Sequence, residues 1–268
     1  MTAPFVTELF IYPIKSCGGI AVPEAAIVDR GFRFDRRWMI TDTNGTFLTQ
    51  RSHPRLALAR VSLVEDRISI TSNGLNSAHI PVEIREGKSV EVEVWQNRVR
   101  ALRGNTEVEE WFSTLLGQPC WVVHMPQESI RPVRPDYATH GEHIAFSDAF
   151  PFLLLSRASL DDLNLRLPNP IPMNRFRPNI IVGGCGPYAE DTWKEIRIGS
   201  VPFTVAKPCA RCVTTTVDQA TGKKSDEPLR TLATYRNVDG EVMFGQNLLH
   251  RSPGTIRAGD MVEITTAR

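Results

Sequence analysis

Apolar positions alternate with polar ones along most of the chain, the period of a half-buried strand. Leu9 to Ile14, Trp38 to Ile40, Phe47 to Thr49, Leu56 to Val64, Ile68 to Ile70 and Val90 to Trp95 read as short strands bounded by turn residues. Asp42-Thr43-Asn44-Gly45 predicts a tight turn between two of them, because Asn-Gly supplies the positive φ angles such a turn needs. The first hundred residues therefore predict an all-β unit.

After that the period changes. Thr106-Glu107-Val108-Glu109 reads as a capping box, and Val108, Trp111, Phe112, Leu115 and Leu116 follow at helical spacing until Gly117 and Pro119. A second helix is predicted from Ser159 through Leu163 and Leu167, stopped by Pro168 and Pro170. Strands return at Phe152 to Leu155, Ile180 to Val182, Ile196 to Ile198, Val201 to Val205, Cys212 to Val217 and Met261 to Ile264. So few strands are separated by a full helix that a doubly wound parallel sheet is disfavoured. The expected class is mainly β with accessory helices (α+β), as two β-barrel-like domains at 1–104 and 121–268 joined by a linking helix at 105–120.

Composition narrows the function. With 41% hydrophobic and 23% charged residues, the 268-residue chain is long enough to bury a large core without staples. Its 31 basic and 30 acidic residues leave a net charge of +1, which disfavours a nucleic acid polymer or an anionic membrane as partner. Any anion must therefore be gripped locally. No stretch approaches the roughly 20 apolar residues of a membrane span, and the N-terminus lacks a signal-peptide pattern, so a cytoplasmic location is expected. Five scattered cysteines suit a reducing compartment better than a disulfide framework.

The candidate chemistry centres on Lys207-Pro208-Cys209-Ala210-Arg211-Cys212. One close cysteine pair is half of what a structural zinc site uses, and the β-rich sequel Val213 to Val217 is unlike the helix N-terminus that activates a redox pair. A single thiolate ligand beside Arg211 and a pair of buried small hydrophobes both remain open. Lys15-Ser16 after the first strand, Arg36-Arg37 in Phe34 to Trp38, and Arg175 and Arg177 before another strand place basic groups at strand edges. Together with one thiolate they would form a pocket for a small phosphorylated ligand.

Taken in order, YPIKSCGG, FDRRWMITDTNGTFLTQR, NRFRPNIIVGG, AEDTWKEIRIG, KPCARCVTTTVD, MFGQN and PGTIRAGD resemble the MOSC-domain molybdenum enzymes, the mitochondrial amidoxime-reducing component and its bacterial relatives. The resemblance runs from about Leu9 to Asp260 and implies an N-terminal MOSC-associated β-barrel followed by a MOSC domain. It implies molybdenum held by a pterin dithiolene, with Cys212 as metal ligand and Cys209 shaping the loop. Lys15, Ser16, Arg36, Arg177, Asn179, Ala210 and Arg211 match positions that hold the pterin and its phosphate. Asp148 matches an acidic position near the metal and is the candidate proton relay; an Asx turn before Pro151 is the alternative for it. Ala149 and Phe150 depart from the small polar residues of the mitochondrial members.

The reaction implied is reduction of a small N-hydroxylated substrate (a hydroxylamine, amidoxime or N-hydroxylated nucleobase) to the amine. The sequence has no C-x4-C-x2-C run and no convincing dinucleotide fingerprint. A separate electron donor is therefore expected: a ferredoxin, a flavoprotein reductase or a cytochrome-type protein. A second reading is a sulfur or molybdenum-cofactor carrier using a Cys212 persulfide. A third is a zinc protein using Cys209, Cys212, His140 and His143.

Overall fold

The computed structural model describes residues 3–138 and 141–268. It is mostly β, in curled sheets. The largest sheet runs Val262–Ala267, Trp193–Ile198, Val201–Ala210, Glu241–His250, Phe152–Ser156, Ile180–Gly183, Phe5–Ile11 and Ile20–Val22, with Asn237–Val238 added beside Glu241–His250. Its last two strands come from the first 22 residues, because Phe5–Ile11 pairs antiparallel with Ile180–Gly183. One neighbouring pair, Phe152–Ser156 and Ile180–Gly183, is parallel. The chain between those two strands carries a helix, the usual form of a crossover between parallel strands. Inward-facing residues of these strands (Val6, Leu9, Phe152, Leu154, Ile180, Val182, Phe203, Val205) meet in one buried core, the spacing between Val6 and Leu9 being lengthened by a register shift.

A second sheet joins Trp38–Thr41, Trp121–His124, Asn97–Arg103 and Ser89–Val94. Two three-stranded sheets complete the set: Arg60–Val64 with Arg67–Ser72 and Leu75–Pro81, and Gly254–Arg257 with Glu24–Val28 and Gly31–Phe32. Helix α1 (Thr106–Leu116) buries Val108, Trp111, Phe112 and Leu115 against Trp38, Ile40, Ile68 and Ile80. Helix α2 (Arg157–Arg166) packs Leu160 and Leu163 with Phe176 and Phe244. No helix among the described residues is long and apolar enough to cross a membrane.

Both predicted helices form, with their starts moved. Asn105, not Thr106, caps α1: its side chain accepts a hydrogen bond from Val108 N. Glu109, free of a capping role, pairs with Arg103. Gly117 ends the helix in the left-handed conformation that favours glycine. Helix α2 begins at Arg157, because the Ser156 side chain accepts from Ser159 N.

Three predicted strands are corrected. Leu56 to Val64 divides into a 3₁₀ turn at Pro54–Leu58, entered through Pro54, and a strand at Arg60–Val64. Phe47 makes only an isolated bridge, to Thr41, within the turn that Asp42 and Gly45 build. Cys212 to Val217 is a 3₁₀ turn at Val213–Thr216 rather than a strand. Thr215 Oγ1 donates to Cys212 O at 3.0 Å and Thr216 Oγ1 to Val213 O at 2.8 Å. These local side-chain bonds compete with a ladder and win despite the β-branched composition.

Candidate functional site

The predicted site residues Lys15, Ser16, Arg36, Asp148, Arg177, Asn179, Ala210, Arg211 and Cys212 all line one cavity. Three chain segments are laced together to make it. Arg36 N donates to Tyr12 O, Trp38 N to Pro13 O, and Phe146 N to Arg36 O. Phe10 N donates to Asn179 O, which seats the Arg177 turn beside them. Ser16, Arg36 and Arg177 each adopt a positive φ, of 69°, 49° and 56°. That conformation is uncommon for residues with a side chain, and three of the eight such cases among the described residues line this cavity.

Buried Asp35 and Asn179 form the hub. Asp35 Oδ1 accepts from Tyr12 N at 2.8 Å and from Asn179 Nδ2 at 3.1 Å, while its Oδ2 accepts from Arg36 Nη1 at 2.6 Å. Asn179 Oδ1 accepts from Arg36 Nη1 and Leu153 N, so both ends of its amide are engaged within the protein. The Tyr12 ring lies against two guanidiniums, with the Arg36 and Arg177 carbons 4.6 and 4.4 Å from its centroid.

The cations of this wall are not all satisfied. Arg177 Nη1 donates to Cys17 O, yet its Nη2 is buried without a partner. Arg211 donates to Phe176 O and Cys209 Sγ, yet its Nε is likewise alone. Buried donors are normally paired, and both orphaned nitrogens belong to guanidinium groups of residues that line the cavity, so this wall carries positive charge that the protein does not fully satisfy and that fits an anionic ligand.

Asp148 is gripped from three sides. It accepts from Lys15 Nζ, from Arg51 Nη2 at 3.0 Å and from Trp95 Nε1 at 3.2 Å. Buried Arg131 pins the loop by donating to the carbonyls of Ala145, Ser147 and Asp148. All three carboxylate partners are distant in sequence, so Asp148 serves the cavity rather than a local Asx turn. Burial in the cavity acts to raise its pKa, but Lys15 and Arg51 outweigh that and hold the carboxyl far below the usual range. Burial pushes Lys15 down to about 8 despite the attraction of Asp148.

Cys212 is exposed to the cavity, immediately before the 3₁₀ turn. Its sulfur receives Arg51 Nε at 3.3 Å and lies 3.4 Å from Thr214 Oγ1. Burial acts to raise this thiol, but the bonds to Thr214 and Arg51 and the charge of Arg51 bring it below the ordinary value. Cys209 lines the same cavity and all five cysteines are free thiols. Among the described residues no group of three or more His, Cys, Asp or Glu is placed to hold a metal ion by itself. His140 lies outside the described residues.

Sequence reasoning assigned no part to Arg51, Trp95, Tyr12, Asp35 or Arg131. Three of them lay inside segments already singled out: Tyr12 opens YPIKSC, Asp35 sits in FDRRW and Arg51 closes FLTQR. Trp95 and Arg131 carried no signal.

A model of the MOSC N-terminal beta barrel domain matches residues 3–119, and a model of the MOSC domain matches residues 141–263. The chain belongs to the MOSC-domain family. This MOSC protein is 37% identical to mitochondrial amidoxime-reducing component 1 of Mus musculus, over 96% of this chain and 81% of that one. With the Homo sapiens protein of the same name the identity is 36%, over 96% and 82%. It is also 33% identical to a molybdenum cofactor sulfurase of Oryza sativa subsp. japonica, over 89% of this chain but only 31% of that one.

Proposed function

We propose that this MOSC protein is a molybdenum cofactor-dependent oxidoreductase that reduces N-hydroxylated compounds to amines with electrons from a separate donor protein. One observation carries the reading: a single cavity is lined both by an open, acidified thiol and by the guanidinium groups of Arg177 and Arg211, each with one donor left unpaired by the protein. A soft thiolate suits molybdenum in a sulfur-rich pterin dithiolene, and free guanidinium donors suit the pterin phosphate. The names of the mammalian relatives support the substrate class.

In this reading Cys212 holds the metal. Arg177 and Arg211 donate to the phosphate, and Arg36 is kept in place for the same anion by Asp35 and Asn179. Lys15, Ser16 and Ala210 complete the wall. When bound, the cofactor supplies the two-electron chemistry. Reduction of R–NH–OH to R–NH₂ and water consumes two electrons and two protons. Lys15 Nζ, with its pKa near 8, is the proton reservoir and donates to the departing hydroxyl oxygen, while ionised Asp148 holds and orients that ammonium. The second proton comes from solvent.

Protein purified from cells that make molybdenum cofactor is expected to carry molybdenum and pterin in near-equal amounts and to reduce benzamidoxime with an artificial donor. Cys212→Ser should lose both the metal and the activity. Stoichiometric zinc in place of molybdenum would overturn the proposal. A second reading, a sulfur or cofactor carrier, draws on the same open Cys212 thiol and on the likeness to the rice sulfurase. It predicts cyanide-releasable sulfur on Cys212 and no turnover. A cytoplasmic location is part of the proposal, and cell fractionation tests it.

A further inference from the structure

Among the described residues, seven basic side chains line the cavity against a single carboxylate, Asp148. Lys15, Arg36 and Arg51 have carboxylate partners in Asp148 and Asp35, and Arg177 and Arg211 carry the partner-free guanidinium nitrogens. A phosphate ester brings about two negative charges, which those groups meet. Lys207 belongs to neither set. It rises from the strand Val201–Ala210, and its ammonium has no carboxylate partner among the described residues. What it has is the Tyr137 ring, 5.5 Å from Nζ to the centroid.

Arg134 flanks the same ring, with its guanidinium carbon 5.8 Å from the centroid, and its own pair with Asp136 lies out in solvent. Tyr137 packs edge-on to Phe150 at 5.4 Å, in a small core with Val133, Ile144 and Leu249. The wall is thus a flat aromatic face, fixed by packing and carrying two cations that the rest of the cavity does not use. Such a face suits a planar molecule bearing an anionic oxygen group: the ring takes the plane, and the cations take the charge by charge-assisted hydrogen bonds.

We infer that Lys207, Arg134 and the Tyr137 ring form a recognition subsite for a carboxylate or phosphate on a planar substrate. This rests on the proposed reduction of N-hydroxylated compounds and narrows it to anionic ones. Lys207 is then a specificity-determining residue, and the neutral parent compounds are poorer substrates.

The test is the ratio of KM values for matched pairs on the holoenzyme: 4-carboxybenzamidoxime against 4-carbamoylbenzamidoxime, and an N-hydroxylated nucleoside 5′-monophosphate against its nucleoside. The anionic member of at least one pair is expected to have a KM about tenfold lower, and which pair responds separates carboxylate from phosphate. Lys207→Gln should bring the ratio toward one, and Lys207→Arg should restore it. Calorimetry with non-reducible 4-carboxybenzamide and terephthalamide reads the same preference without turnover. Equal affinity for charged and neutral ligands in the wild type, or a preference that survives Lys207→Gln, overturns the subsite. Preferential anion binding without any reduction sustains the subsite and sinks the reaction.

Discussion

Gly19 lies directly against the face of Tyr12: a Cβ at Gly19 would come within 2.5 Å of the ring carbon Cε1. The glycine in YPIKSCGG therefore makes room for the ring that carries Arg36 and Arg177. Gly19→Ala must displace the buried ring, and the two guanidiniums with it. The expected result is a several-fold loss of pterin per protein, measured after oxidation to its fluorescent form. Tyr12→Leu should act likewise, since a desolvated cation–π contact is worth up to about 2 kcal/mol. Tyr12→Phe keeps the stack and loses only the bond to Pro178 O, so it should cost about 1 kcal/mol in stability and retain pterin.

Cys212 should be the reactive thiol of the cofactor-free protein. It is open to the cavity and acidified, whereas burial pushes Cys17 up to about 12 and raises Cys120 as well. Alkylation by iodoacetamide, read by peptide mass, is expected at Cys212 in preference to these two. Its midpoint should lie below that of an ordinary free thiol. Arg51→Gln removes the donor at 3.3 Å and its charge, so the midpoint should rise. An unchanged midpoint would mean that Arg51 does not tune the sulfur.

Asn105→Ala tests the fold apart from any function. The side chain caps α1 through Val108 N, and its loss should cost about 1 kcal/mol, read as a lower denaturant midpoint with an unchanged slope. Thr106→Ala, at the position the sequence pattern pointed to, should cost less.

That contrast shows which features were legible in the sequence. Apolar spacing located α1 and α2 because a buried stripe of Val108, Trp111, Phe112 and Leu115 obeys a simple period, while the cap differs by one residue and by one hydrogen bond. Thr214 to Thr216 favoured a strand on propensity, and only the hydroxyl-to-carbonyl bonds of the folded chain decide for the turn. The basic residues were visible as charges, but their division of labour was not. Arg51 reaches Cys212 across 161 residues, and Trp95 reaches Asp148 across 53. Nor did any local pattern show that Phe5–Ile11 joins the sheet of the second half, since strand partners are chosen by the whole core.

The Lys15–Asp148 pair should leave a signature in stability against pH. The folded pKa of Lys15, about 8, lies below its unfolded value of 10.5, so the buried ammonium weakens the fold below pH 8. That penalty disappears as pH rises from 8 to 10.5. Asp148 works in the opposite range: its depressed pKa adds stability above the unfolded value of 3.8, and this is lost as pH falls below it. Asp148→Asn removes the counter-charge and lowers Lys15 further. At pH 6 to 7 the variant should be less stable by about 1 kcal/mol, a modest figure because the carboxylate is 54% exposed to cavity water. Above pH 9 Lys15 is mostly neutral in both proteins, and the gap should shrink. Thermal unfolding of the two proteins from pH 6 to 10 measures it. A gap independent of pH would show that Asp148 supports the fold through Arg51 and Trp95 alone, and would remove Lys15 as the proton reservoir.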